Sequence, residues 1–272
     1  MCELLALSTS QPVRLSLSLH TLASHGGAAG STHDGWGVAF YQGKDVALFR
    51  EPLAAADSAL VRYLESHGPE SNLVISHIRH ATRGTVRFSN TQPFIRELAG
   101  HTHAFAHNGD LPGIDESVIL QRETFRPVGE TDSEHAFCVL LARMRTLWEG
   151  TDVPSLEARL SILASFAADL RVLGPANFLY ADGDALFAHG HRRQQAGGAV
   201  EPPGLWVLQR HCAPTDPSTE RHAGIALAQQ ERSAVFIASV PLTDEAWQPL
   251  SEGALLAVRD GEVLASQLLA AS

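Results

Sequence analysis

Short apolar runs alternate with turn residues along most of the chain. Runs of strand length fall at Leu4–Leu7, Val38–Tyr41, Val46–Phe49, Leu73–Ile78, His103–Ala106, Phe178–Tyr180, Leu205–Leu208, Val235–Ala238 and Leu255–Val258. Two longer stretches carry apolar side chains at helical spacing. The first spans Ser133 to Trp148, through Ala136, Phe137, Leu140, Leu141, Met144 and Leu147, with Asp132 or Ser133 placed to cap its start. The second spans Pro154 to Leu173 and repeats the spacing through Leu156, Leu160, Leu163, Phe166 and Leu170. A shorter helix is expected over Ser58–Leu64. Many strands broken by a few helices, without regular β-α-β alternation, predict an α+β chain of stacked, mainly antiparallel sheets covered by helices. No internal repeat or low-complexity linker interrupts the pattern, so residues 1–272 read as one domain, loosest from His189 to Pro203.

Composition narrows the classes. At 44% hydrophobic and 18% charged, the 272-residue chain is neither disordered nor a coiled coil. With 20 Lys+Arg against 30 Asp+Glu, its net charge of −10 argues against a nucleic-acid partner. Lys44 is the one lysine, so arginine supplies the other 19 cations and single arginines carry little weight outside a motif. Cys2, Cys138 and Cys212 are widely spaced with no CxxC, which excludes a disulfide scaffold. The opening residues lack a cationic segment and a long apolar core, and no run approaches membrane-spanning length. A soluble, cytoplasmic protein is expected, with no membrane partner.

Four segments concentrate candidate chemistry. Cys2 follows Met1, and a small second residue permits methionine removal. A freed Cys2 would then offer a thiol of pKa ~8.5 beside an amine of pKa ~7.7–8.0, nucleophile and base on one residue; the alternative is a small buried hydrophobe. In SHIRHATRG, Ser76–Gly84, a strand runs into a turn bearing Arg79, His80, Thr82 and Arg83. An arginine there suits either a fork for a carboxylate or a surface ion pair. In FAHNGDL, Phe105–Leu111, Asn108 and Gly109 form either a hairpin turn or a pair of donors for an oxyanion. In GETDSEHAF, Gly129–Phe137, Asp132 sits where a loop becomes a helix, as a cap. The histidines at 77 and 80, 101 and 103, 107, and 189 and 191 have short spacings. Without an HExxH or a nearby carboxylate they point to no metal site.

Taken in order, MCxLL, DGWG (Asp34–Gly37), HxRxATRG, HNG and GETDSE resemble the glutaminase domain of class II glutamine amidotransferases. The likeness extends to the stand-alone YafJ-like group through NTQPF (Asn90–Phe94), NFLYADG (Asn177–Gly183) and ASVPLTDEAWQPL (Ala238–Leu250). Any one motif is weak, whereas the ordered set is specific. The resemblance implies the αββα sandwich of the N-terminal nucleophile hydrolases. It implies Cys2 as nucleophile, with its own amine as base, and Asn108 and Gly109 as the oxyanion pair. Arg79 would hold the α-carboxylate of glutamine and Asp132 its α-ammonium, while His80, Thr82 and Arg83 contribute backbone contacts. No cofactor is implied. The chain departs from better-known members at His80 and Arg83, where those carry Trp and His, and in STHDGWG, where they have an arginine. With no synthase domain in 272 residues, the ammonia would pass to a separate synthase. Otherwise the enzyme cleaves a γ-glutamyl group from a small molecule for its own sake, as a related group does in ergothioneine synthesis. A glutamine-binding module without turnover is the remaining alternative.

Overall fold

The computed structural model describes residues 2–14, 34–117, 124–150, 152–195, 197–212 and 232–269. The chain runs β1 (Glu3–Arg14), β2 (Trp36–Gln42), β3 (Asp45–Glu51), α1 (Ala59–His67), β4 (Glu70–Ile78), β5 (Phe94–Leu98), β6 (His101–Gly109), α2 (Asp132–Met144) and α3 (Leu156–Leu173). It continues β7 (Ala176–Ala181), β8 (Leu186–His189), β9 (Arg193–Gln194), β10 (Val200–Glu201), β11 (Trp206–Cys212), β12 (Arg232–Ala238), β13 (Gln248–Pro249), β14 (Ala254–Arg259) and β15 (Glu262–Leu268). Seven strands form one antiparallel sheet in the order β13-β11-β12-β1-β4-β2-β3, and six form another in the order β15-β14-β8-β7-β6-β5. A small ribbon of β9 and β10 stands apart.

Strand alternation sorts the side chains into layers. Leu4 and Ala6 of β1 face the second sheet and pack with Ala104, Ala106, Leu179, Ala188 and Ile237; small residues on these strands let the sheets approach closely. Leu5 and Leu7 face the other way, against Val38, Phe40 and the α1 residues Val61 and Leu64. On the far side of the second sheet, Phe105, Phe178 and Phe187 meet Phe137 of α2 and Leu163 and Phe166 of α3. The layers are therefore helix, sheet, sheet, helix, the sandwich expected from the sequence.

The differences lie at edges and ends. β5, β8 and β15 are not among the expected runs; β5 and β15 are edge strands that carry polar residues such as Arg96, Glu97, Ser266 and Gln267. The first long helix is Asp132–Met144, four residues shorter at its end than the apolar spacing to Trp148 suggests. There the chain tightens, with Leu147 N–H donating to Met144 C=O at 2.9 Å, and Trp148 still reaches the core at 3% exposure. Its cap is Thr131, not Asp132 or Ser133. The Thr131 hydroxyl accepts from Glu134 N–H at 3.2 Å, in a T-x-x-E pattern, because Asp132 has already entered the first turn.

Candidate active site

One end of the sandwich gathers the start of β1, the end of β4, the start of β2 and the end of β6. β1 lies between β12 and β4, pairing Glu3 with Ile78, while Trp36 pairs with Ile78 from the other side. Cys2, just ahead of β1, is thereby carried to the peptide of His80, just beyond β4. Its Sγ lies 3.3 Å from the His80 carbonyl, to which it donates, and 3.3 Å from the His80 N–H, from which it accepts. Burial pushes the thiol up to about 11, so it is protonated at neutral pH.

Asn108 approaches from the second sheet. By the alternation of β6 it shares the inter-sheet face with Ala104 and Ala106, and its amide donates to the Cys2 carbonyl at 2.6 Å. Asn177 on neighbouring β7 fixes it further: the Asn177 amide donates to the carbonyls of Asn108, at 3.0 Å, and Arg192, at 2.7 Å. The Asn177 carbonyl accepts from His191 N–H at 2.7 Å. Gly109 has no room for a side chain, since a Cβ there would sit 1.8 Å from the Pro175 carbonyl. His107 occupies the opposite face of β6, bonding the Ser133 hydroxyl at 2.9 Å. Burial lowers its basicity and favours a neutral ring.

The arginine turn is organised from within. Arg79 is 3% exposed and uses three of its five N–H donors on the carbonyls of Arg83, Gly84 and Thr85 at 3.0–3.1 Å. Asp34 of the DGWG segment accepts from Ala81 N–H at 2.8 Å, which explains why that motif accompanies the turn. Gly84 has φ +77°, a conformation that suits glycine. The Arg83 side chain points outward to Asp115 at 3.0 Å, with both groups largely exposed. Asp132 is 7% exposed; its carboxylate accepts from Leu111 N–H at 2.9 Å and Ser133 N–H at 2.8 Å.

Five of the eight candidate residues, Cys2, His80, Thr82, Asn108 and Gly109, line one cleft of about 160 Å³. Arg79, Arg83 and Asp132 do not reach its wall. The cleft also takes in Asp110, Arg192 and Arg193, which sequence reasoning missed. Arg193 is the outward sign of a buried ion pair. Its guanidinium meets Glu3 at 2.8 Å and the Ser239 carbonyl at 2.6 Å, directly behind Cys2. Burial pushes the Glu3 carboxyl up to about 7 even though Arg193 pulls it down. Asn90 and Gln92 of NTQPF are likewise fasteners. Asn90 donates to Thr85 C=O at 2.9 Å and accepts from Glu130 N–H at 2.8 Å, tying the arginine turn to the GETDSE loop. Gln92 exchanges two bonds with the His107 backbone. Their only signal in the sequence was membership of a motif.

The histidines on β6 that face the helices serve packing. His101 and His103 flank Trp148, and His103 Nδ1 meets the Tyr180 hydroxyl at 2.6 Å. Among the described residues, no group of three His, Cys, Asp or Glu side chains is placed to hold a metal ion, and no helix is long and apolar enough to cross a membrane.

The chain is similar to known proteins along most of its length. The YafJ protein of Escherichia coli (strain K12) is 35% identical over 254 residues, covering 93% of this chain and 95% of its own. A protein of Methanocaldococcus jannaschii, MJ1515, is 32% identical over 98% of this chain and 71% of its own. The crystal structure of a predicted glutamine amidotransferase from Pseudomonas aeruginosa PA01 superposes with a TM-score of 0.70 at 37% identity, covering 97% of this chain and all of that one. The glutamine phosphoribosylpyrophosphate amidotransferase of B. subtilis shares the fold at a TM-score of 0.62 and 14% identity, this chain matching half of that longer one. These neighbours carry the N-terminal nucleophile hydrolase fold. A sequence profile described as glutamine amidotransferases class-II matches residues 1–271, and the chain belongs to that family.

Proposed function

We propose that residues 1–272 form one cytoplasmic glutaminase domain in which Cys2 attacks the side-chain amide of glutamine. The observation that carries this reading is the convergence of Cys2 with Asn108 and Gly109 in one cleft, from strands of two different sheets. A thiol held near 11 needs a base. The α-amine of Cys2, exposed once Met1 is removed, takes the thiol proton as sulfur bonds to the amide carbon; Met1 lies outside the described residues. The Asn108 amide and the Gly109 N–H receive the oxyanion, a contact whose loss typically costs about 100–1,000-fold in rate. The C–N bond breaks, ammonia leaves with the proton, and water hydrolyses the γ-glutamyl thioester to glutamate. Arg79 exchanges part of its grip on the turn carbonyls for the substrate α-carboxylate, and Asp132 takes the α-ammonium. His80, Thr82 and Arg83 shape the turn through their backbones. No nucleic acid or membrane enters this reading; the ammonia passes to a separate synthase or to water.

Labelling tests it. A diazoketone analogue of glutamine should add one mass increment, at Cys2, in protein whose intact mass lacks methionine. Cys2→Ala should bind glutamine within a few-fold of normal and release no ammonia. Normal ammonia release by Cys2→Ala would overturn the reading, and binding without release by the unaltered protein would indicate a glutamine-binding module instead.

A further inference from the structure

The cleft that holds Cys2 continues past Arg192. Pro175, Arg192 and Val200 also wall a second cleft of about 440 Å³, into which Arg171, His191 and Glu252 project. The first cleft is smaller than the roughly 300–1,000 Å³ typical of small-molecule sites, while the second falls within that range. Ammonia, about the size of water at ~30 Å³, needs no such space. The charge is also out of keeping with the rest of the molecule. On a chain of net charge −10, this cleft brings two arginines to one carboxylate, Glu252, while burial lowers the basicity of His191 and favours a neutral ring there. Glu252 is shared between Arg192, at 2.6 Å, and His191, at 3.4 Å. His191 is 7% exposed, and its Nδ1 is buried without a hydrogen-bond partner among the described residues. The second cleft is held in register with the chemistry, because Asn177 bonds Asn108 on one side and both Arg192 and His191 on the other.

We infer that the second cleft receives the amine side of the substrate, and that this amine carries a carboxylate. The substrate class is then a γ-glutamyl amide of an amino acid, with glutamine as its smallest relative. This inference rests on the reading of Cys2 as nucleophile. The sulfur bonds to the γ-carbonyl carbon as the C–N bond breaks, the amino acid leaves with the thiol proton, and water releases glutamate. Arg171 and Arg192 hold the leaving group's carboxylate, and Glu252 sets how much positive charge is left for it.

The test compares γ-glutamylglycine with γ-glutamylglycinamide, which has nearly the same shape without the charge. The ratio of their kcat/KM values should be at least tenfold in favour of the acid. It should fall to within twofold of one in the Arg171→Gln/Arg192→Gln double variant. Glu252→Gln should move it the other way, raising it several-fold, an outcome that mere structural damage does not produce and that does not depend on the double variant folding. A ratio near one in the unaltered protein, or one that all three substitutions leave unchanged, overturns the inference while leaving glutamine hydrolysis standing. Failure to cleave glutamine and both dipeptides alike would overturn the hydrolase reading, and this inference with it.

Discussion

The two walls of the cleft are built differently. On the β6–β7 side, Asn108 is held through its side chain by the Cys2 carbonyl and through its backbone by Asn177, and Gly109 is pressed against Pro175 with no space left over. On the other side, the turn after β4 exposes Thr82, Arg83, Thr85, Val86 and Phe88 and is gathered from beneath by Arg79 and Asn90. One wall has a single well-packed arrangement. The other is held by charge-assisted bonds to carbonyls, which a carboxylate can replace. Preorganised donors are most valuable where charge develops in the transition state. A segment that must first admit a substrate is drawn instead from the less tightly packed parts of a fold.

The largest expected effect should break the walls themselves. Burial lowers His77 and His189 to about 3 and His103 to about 4, from the ordinary 6.5. The folded state therefore binds fewer protons than the unfolded chain below that value. The stability tied to these neutral rings is fully present above pH 6.5 and is lost as pH falls toward 4. Three such groups cost about 4 kcal/mol per pH unit across that window. An acid titration followed by circular dichroism should show cooperative unfolding between pH 6 and 4, and a flat profile down to pH 4 would contradict it.

Gly109→Ala should come next, because backbone opposes the new methyl on the rigid side. A cost of about 3 kcal/mol is expected, seen as a lower thermal midpoint, together with a fall in kcat. Arg79→Ala probes the replaceable side. KM for glutamine should rise roughly 10–100-fold with kcat nearly preserved, the loss of one charge-assisted contact of about 1.5–3 kcal/mol. Lower stability with an unchanged KM would make Arg79 only a brace for the turn. The smallest effect belongs to Arg83→Ala. Its pair with Asp115 is exposed on both sides, so denaturant midpoints should move by less than about 0.5 kcal/mol.

How far the sequence foretells this molecule varies with the physics of each element. Helices α2 and α3 are legible because Phe137, Leu140, Leu141, Leu163, Phe166 and Leu170 must all face one sheet. The edge strand β15 is not, since one face and one flank meet water and the apolar signal is halved. Cys2, Asn108 and Gly109 stood out through ordered motifs. Their supports did not: Glu3 reads as an ordinary acid in a strand, and its partner Arg193 lies 190 residues away. The second cleft is still less visible. Arg171, His191, Arg192 and Glu252 come from a helix end and two loops, with no shared period and no motif.

The place of β1 between β4 and β12 has a consequence for synthesis. β4 follows β1 within about 70 residues, and β12 follows only after more than 200. At roughly 5–20 residues per second, that last interval lasts on the order of ten seconds or more. Throughout it, the strand that follows Cys2 lacks one of its two neighbours, and Ser239, whose hydroxyl accepts from Leu4 N–H at 3.0 Å, does not yet exist. The Cys2 thiol cannot meet its finished surroundings until β12 has been made. Until then the nascent polypeptide holds the thiol without the neighbours that enclose it.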